Sequence, residues 1–349
     1  MVTQIEQVEA ARPRPKAVAG FDFTLTVPKS ASVLWALADP ATQRAVAEAH
    51  RAAVDDTLAY VQSTALRTRT GSGGAAQVET RGMVAAAFDH WDTRTGDPNL
   101  HTHVVLANKV QGPDGKWRSV DSRALHHAAV AVSELYDDLL ADHLTRRLPV
   151  RWGWRPRGER RTPAFEIDGL DDRLLSAFST RAGDIDAALR TALADFTAAH
   201  ARPPSRVEVV KLRQQVTLAT RPPKTPHPLQ DLLARWADRA RRVTGRDPAD
   251  ITADALLARP GTVLRHDQVN PTTVDRLGAL VVDGLLERRS TWTVWNARAE
   301  AAGPLRITPV GLPTGTRRQR LSARRCPRGW CGPGAGSSTS GRRSPGVPR

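Results

Sequence analysis

Cysteine, tyrosine and long apolar runs are scarce in this sequence, and each scarcity excludes something. Only two cysteines occur among 349 residues, Cys326 and Cys331. Their C-x4-C spacing has no second pair, which excludes a disulfide framework and argues against a zinc knuckle. The only tyrosines are Tyr60 and Tyr136, both in the middle of helical patterns, where packing is the simplest role. The opening stretch MVTQIEQVEAARPRPK lacks an apolar signal core, and no apolar run reaches membrane-spanning length, so a cytoplasmic location is expected. No G-x-x-x-x-G-K-[ST] pattern occurs, and Gly71-Ser72-Gly73-Gly74 reads as a flexible connector, not a phosphate cradle.

Basic charge, by contrast, is plentiful. The chain carries 51 Lys+Arg against 36 Asp+Glu, a formal net charge of +15, and nucleic acid is the first partner such a balance suggests. The excess is uneven. Nine arginines and no acid lie from Arg317 to Arg349, which leaves about +6 on the remainder, a mild bias.

The most informative stretch is FDHWDTRTGDPNLHTHVVLAN, from Phe88 to Asn108. His101 and His103 are two residues apart ahead of the apolar, β-branched run Val104-Val105-Leu106-Ala107. In a strand both imidazoles point to one face, where neutral ring nitrogens can share a divalent cation. His90 follows the apolar run that starts at Met83, and Asp97-Pro98-Asn99 between it and His101 is turn chemistry. The pattern predicts a strand ending near His90, a loop, and a strand returning beside it at His101, with three histidines, His90, His101 and His103, around one metal. His126 and His127, in a later helix, read as ordinary solvated or satisfied polar residues. Inside the loop, Thr93 and Arg94 serve equally as phosphate contacts or as ties that hold the loop.

Earlier in the chain, residues 19–27 alternate. Phe21, Phe23, Leu25 and Val27 share one face; Asp22, Thr24 and Thr26 share the other. Asp22 could meet an imidazole or simply face solvent; spacing alone leaves both open. Lys29, at the following strand-to-helix turn, and Arg118 are weaker candidates for backbone phosphate contacts. Trp117 could stack on a base, though core packing is the commoner use of such a residue.

These segments carry a family resemblance. His90 to His103, HWDTRTGDPNLHTH, resembles the H-x-x-S/T-R-x-x-D/E-P-x-L-H-T-H signature of MobF-class conjugative relaxases, the TrwC/TraI type. Gly20 to Ser30, GFDFTLTVPKS, is similar to that family's G-[YF]-D-L-T-F-S-A-P-K-S segment, and Arg289 to Asn296 resembles a piece of actinobacterial members. The likeness runs from about residue 18 to 300. It implies an enzyme that nicks one strand of plasmid DNA at a transfer origin by transesterification. It further implies a divalent metal ion (Mg, Mn or Zn) on the three histidines, and Asp22 in the active site as general base or histidine-orienting residue. Single-stranded DNA at the transfer origin, together with accessory conjugation proteins, would be the partners. The family's nucleophilic tyrosines lie upstream of the Asp22-type strand, in a segment this sequence does not contain, and its helicase is missing too. The expectation is therefore a chain truncated at both ends, with a metal site and no nucleophile.

The organisation expected is α+β: an antiparallel sheet carrying the three-histidine site, covered by helices, with a helical C-terminal part. Residues 1–17 form a polar arm, 18–170 the sheet-bearing core, 171–302 the helical part and 303–349 a disordered basic tail. Helices are expected at about 31–38, 41–68, 123–148, 172–201, 205–219, 229–243, 253–258 and 274–288. Gly112-Pro113-Asp114-Gly115 marks a turn before a strand over 116–120, and a short β-like piece starts at Trp152 and extends through Ile167. The tail reads better as a frameshift product than as a selected DNA-binding arm. Two other functions compete: a noncatalytic single-stranded DNA-binding remnant, and a metal-dependent small-molecule hydrolase. The hydrolase would need further His and Asp ligands at later strand ends, where the chain instead offers helices.

Overall fold

The computed structural model describes residues 18–157, 163–223, 225–256 and 269–302. The expected polar arm and basic tail lie outside the described residues. The centre is a three-stranded antiparallel sheet of β1 (Gly20–Thr26), β4 (Ala85–Asp92) and β5 (Pro98–Ala107), in the order β1-β5-β4. β5 is central because it pairs with β1 on one edge and β4 on the other. Its even positions Leu100, Thr102, Val104 and Leu106 are buried, while the odd positions His101, His103 and Val105 are not. One face of the sheet is thus a core face and the other an open face.

Helices cover the core face. α1 (Lys29–Leu37) is buried almost end to end; α2 (Pro40–Thr64) reaches the sheet through His50, and α3 (Ser122–Arg147) packs against α2. Asp39 caps α2, accepting from the Ala41 and Thr42 amides, with Pro40 at the first helical position. Asp121 caps α3 in the same way through the Arg123 amide. Val46, Ala49, Ala53 and Val61 of α2 meet Leu125, Ala128, Val132 and Leu139 of α3 in one apolar core.

Three small two-stranded sheets surround this unit. β2 (Arg67–Thr70) pairs with β3 (Ala76–Glu79), β6 (Val110–Gln111) with β7 (Trp117–Arg118), and β8 (Trp152–Arg155) with β9 (Ala164–Ile167). Thr68 ties the first to the chain after β7: it bridges Val120, and its hydroxyl donates to the Ser119 carbonyl at 2.7 Å. From β9, Glu166 reaches across to the start of α1 and accepts from both the Ser30 amide and hydroxyl.

The remaining elements among the described residues are helices: α4 (Asp172–Ala177), α5 (Thr180–His200), α6 (Arg206–Ala219), α7 (Leu229–Thr244), α8 (Pro248–Leu256), α9 (Pro271–Arg288) and α10 (Val294–Glu300). The fold is α+β with a helical C-terminal part. Several element boundaries differ from expectation. The helix expected to run to residue 68 stops at Thr64, because Arg67–Thr70 is drawn into pairing with β3. The Gly71 connector turns that hairpin, with Gly71, Gly73 and Gly74 all at positive φ. The single helix expected over 172–201 is two, α4 and α5, broken at Phe178-Ser179, where Phe178 is fully buried. The helix expected to begin near 253 begins at Pro248, and α10 lies where no helix was expected.

Candidate metal centre

The site forms where three strands present polar residues on the open face. In the register, Thr26 faces His101 and His101 faces His90, while Thr24 faces His103 and His103 faces Phe88. Directly opposed residues in an antiparallel pair share a face. Alternation along β1 adds Asp22 to that face, one rung beyond Thr24. Asp22, Thr24, Thr26, His90, His101 and His103 therefore stand on one side of the sheet.

The three imidazoles form a nearly equilateral triangle. Ring centroids are 5.2 Å apart for His90–His101, 5.3 Å for His90–His103 and 5.2 Å for His101–His103. One ligand atom from each lies within 4.8 Å of the others. The hydrogen bonds determine which nitrogen each offers. His103 Nδ1 donates to the Asp22 carboxylate at 2.9 Å. His101 Nδ1 donates to the Asn99 carbonyl at 2.7 Å, with the Asn99 side-chain amide 3.1 Å away. A proton on Nδ1 leaves Nε2 as the lone pair in both rings, and an imidazole anchored at Nδ1 is the usual support of a metal ligand. Burial pushes the His101 pKa down from its ordinary value, with the neighbouring His90 and His103 adding to that effect and the Asn99 carbonyl opposing it. His101 is thus neutral at pH 7, as a ligand must be.

Behind the sheet lies a second polar chain. Thr102, between the two histidines of β5, points to the core face and donates to Asp89 Oδ1 at 2.6 Å. Its oxygen accepts from His50 Nε2 at 2.8 Å, and His50 Nδ1 accepts from the Tyr136 hydroxyl at 2.7 Å. Tyr136 is 2% exposed and raised well above the ordinary tyrosine pKa by burial; Tyr60 is 6% exposed, with the Arg298 guanidinium 5.7 Å from its ring centre. Both tyrosines belong to the helical layer.

The other sequence candidates are dispersed. Lys29 Nζ donates to the Pro98 carbonyl at 2.7 Å, and burial lowers its pKa against the pull of Asp97 and Glu166. Lys29 therefore meets the first residue of β5 and is not displayed on the open face. Arg94 is exposed in the β4–β5 turn, 3.4 Å from the Pro222 carbonyl. Arg118 lies on a different sheet, forked onto Asp114 at 2.6 and 2.7 Å. Thr93 ties the loop, its hydroxyl accepting from the Asp97 amide at 3.1 Å. Trp117, for which core packing was the commoner expectation, is 57% exposed. What sequence reasoning missed is the role of Asp97. Read as turn chemistry, it is fully buried against Arg239 at 3.0 Å. The signal available was weak: an acid beside a proline, with its partner far down the chain.

Comparison with known proteins gives a consistent result. The family model described as TrwC relaxase matches residues 2–243. The multifunctional conjugation protein TraI of Escherichia coli is 26% identical over 297 residues, covering 82% of this chain and 15% of its own length. The corresponding protein of strain K12 is 25% identical over 301 residues with the same coverage. The chain thus spans about 15% of the length of these curated relatives. A metal-bound structure of the conjugative relaxase TrwC with oriT DNA is similar at TM-score 0.54 and 27% identity, over 69% of this chain and 77% of that one. A metal-free TrwC–oriT structure gives the same score and identity, covering 78% of its chain.

Proposed function

The chain belongs to the TrwC relaxase family, and from that premise we propose that its open sheet face binds a divalent metal ion together with a phosphate of single-stranded DNA, for relaxase chemistry in conjugative transfer. The observation that carries this reading is the triangle of His90, His101 and His103, with Nδ1 of two rings already engaged. Three neutral nitrogen donors fit a borderline ion such as Zn better than Mg, which prefers oxygen ligands. A bound ion would polarise the phosphate and offset charge developing on it. Asp22 holds His103 in the tautomer that leaves Nε2 free for the metal. The site lies within residues 18–170, and α5 and α7 of the helical part hold its turn. Accessory conjugation proteins are the partners that membership implies.

Covalent capture of a DNA end needs a hydroxyl within reach of the phosphate. Tyr60 and Tyr136 are buried in the helical layer, and Tyr136 already donates to His50. Neither is the nucleophile. Their burial favours a second reading for these 349 residues, in which they bind single-stranded DNA without forming an adduct.

The test measures Zn2+ and Mn2+ binding by calorimetry, and binding of a mixed-sequence oligonucleotide, single-stranded or duplex, by fluorescence anisotropy. One metal site is expected in the wild type and none in His101→Ala. Single strands should be preferred, more strongly with metal, and no covalent adduct should form. Equal metal binding by His101→Ala would overturn the site. An adduct mapped to Tyr60 or Tyr136 would overturn the tyrosine assignment.

A further inference from the structure

The turn that separates His90 from His101 is fastened by helices far along the chain. Asp97 is fully buried. Its Oδ1 accepts from Arg239 Nη1 at 3.0 Å and from the Thr180 hydroxyl at 3.1 Å, and its Oδ2 accepts from the Thr95 hydroxyl at 3.1 Å. The second Arg239 terminal nitrogen donates to the Ala177 carbonyl, and its guanidinium lies 5.3 Å from the centre of the Phe178 ring. One turn earlier on α7, Trp236 Nε1 donates to the Gly96 carbonyl at 2.7 Å. The Trp236 ring is 2% exposed and packs edge-on against Trp35 of α1. Two consecutive turn residues, Gly96 and Asp97, are therefore gripped by α5 and α7.

What the grip protects is register. His90 pairs directly with His101, and the pairing shifts between His90 and Asp92, at a bulge. A bulge re-aims the side chains beside it, and a slip of one residue in the pairing would carry a side chain to the opposite face. His90 reaches the open face only while β4 meets β5 with the present offset, and the turn over 93–97 joins the two strands. The turn's internal bonds, Thr93 amide to Asp97 carbonyl and Gly96 amide to Thr93 carbonyl, both 2.9 Å, give it shape but do not attach it to anything. Buried attachment comes from Trp236, Arg239 and Thr180, beside the exposed contact of Arg94 with the Pro222 carbonyl.

We propose that Arg239 and Trp236 are positioning residues for the histidine triangle, locking the β4–β5 turn so that His90 stays in register with His101. The consequence for metal binding rests on the metal-site reading above; the positioning itself does not. Arg239→Ala strands a buried carboxylate and can fail to fold. The decisive variants are therefore Trp236→Phe, which keeps the packing ring and removes the N–H, and the double change Asp97→Asn with Arg239→Gln, which removes both charges. Two measurements are made on each, after circular dichroism shows a folded chain. In the metal-free protein with labelled histidine, NMR reads the ring-to-ring contact between His90 and His101. With Co2+ added, absorption in the visible range reads both affinity and ligand set. Both variants are expected to lose the His90–His101 contact and to bind Co2+ some ten- to a hundredfold more weakly, with a spectrum of fewer nitrogen ligands, while Arg239→Lys recovers part of the affinity. Wild-type ring contacts and Co2+ affinity in both folded variants would overturn the proposal. A wild type that shows the ring contact, which the variants lose, but binds no Co2+ would sink the metal reading and leave the positioning role supported.

Discussion

Four imidazoles stand on two sides of one strand here, and burial sorts them into different chemistry. His90, His101 and His103 share the open face; His50 lies behind Thr102 at 2% exposure. Burial lowers the His50 pKa from 6.5 to about 4, the nearby Asp89 opposing that shift and His101 and Arg51 adding to it. The neutral ring can then accept from Tyr136 and donate to Thr102 at once. A base whose folded pKa lies below its unfolded one takes up a proton on unfolding. Its neutral form is therefore no liability above pH 6.5, and stability falls as pH drops from 6.5 towards 4. The loss runs at about 1.4 kcal/mol per pH unit, or about 3 kcal/mol in all. Urea unfolding at a series of pH values should show that slope in the wild type and a flatter one in His50→Gln. Parallel profiles would refute a buried neutral His50.

At the scale of elements, the site depends on β1 lying flush against β5. Gly20 makes the first rung, opposite Ala107, and a Cβ there would meet the Leu106 carbonyl oxygen at 2.6 Å. Backbone cannot retreat as a flexible side chain can. Gly20→Ala should therefore pry the strand end away, costing about 1–3 kcal/mol, and should disturb Asp22 two residues on. Urea denaturation is expected to show a lower midpoint with an unchanged slope. The Asp22–His103 hydrogen bond, followed as the His103 Nδ1 proton by NMR, should weaken in the same variant. An unshifted midpoint would mean the first rung contributes nothing. The same dependence on neighbours explains β2. Nothing within residues 65–70 stops a helix as a proline would, but Thr68 finds Ser119 and Val120, and the chain extends to meet them.

At the scale of the whole molecule, the proposed DNA binding has two regions to test, the open sheet face and the arginine-rich residues 317–349. The nine arginines of residues 317–349 can contact phosphates without regard to sequence or strand type. On the proposed function, the open sheet face would select an exposed phosphate only where a single strand lets it approach. Deleting residues 303–349 should lower the dependence of affinity on salt, because fewer counterions are released. It should leave the preference for single strands intact. Anisotropy titrations across a range of salt concentrations would measure both, and loss of all binding on deletion would locate DNA recognition in the tail.

Strand alternation and turn chemistry determined much of this protein in advance. His101-x-His103 ahead of a β-branched run required one shared face, and Asp97-Pro98 required a turn that returns the chain beside His90. The alternation over residues 19–27 put Asp22 on one face and the core residues on the other, but left open whether that face met solvent or an imidazole. The register of β1 against β5 decided it, by setting Thr24 opposite His103 and Asp22 one rung away. Tertiary structure also decided the break between α4 and α5, the strand in place of the end of α2, and the burial of Asp97 against Arg239. Each rests on a partner far away in sequence, as with the 142 positions between Asp97 and Arg239. Local patterns encode periodicity and turns because those arise from neighbouring residues. They carry no record of which distant group will satisfy a buried charge.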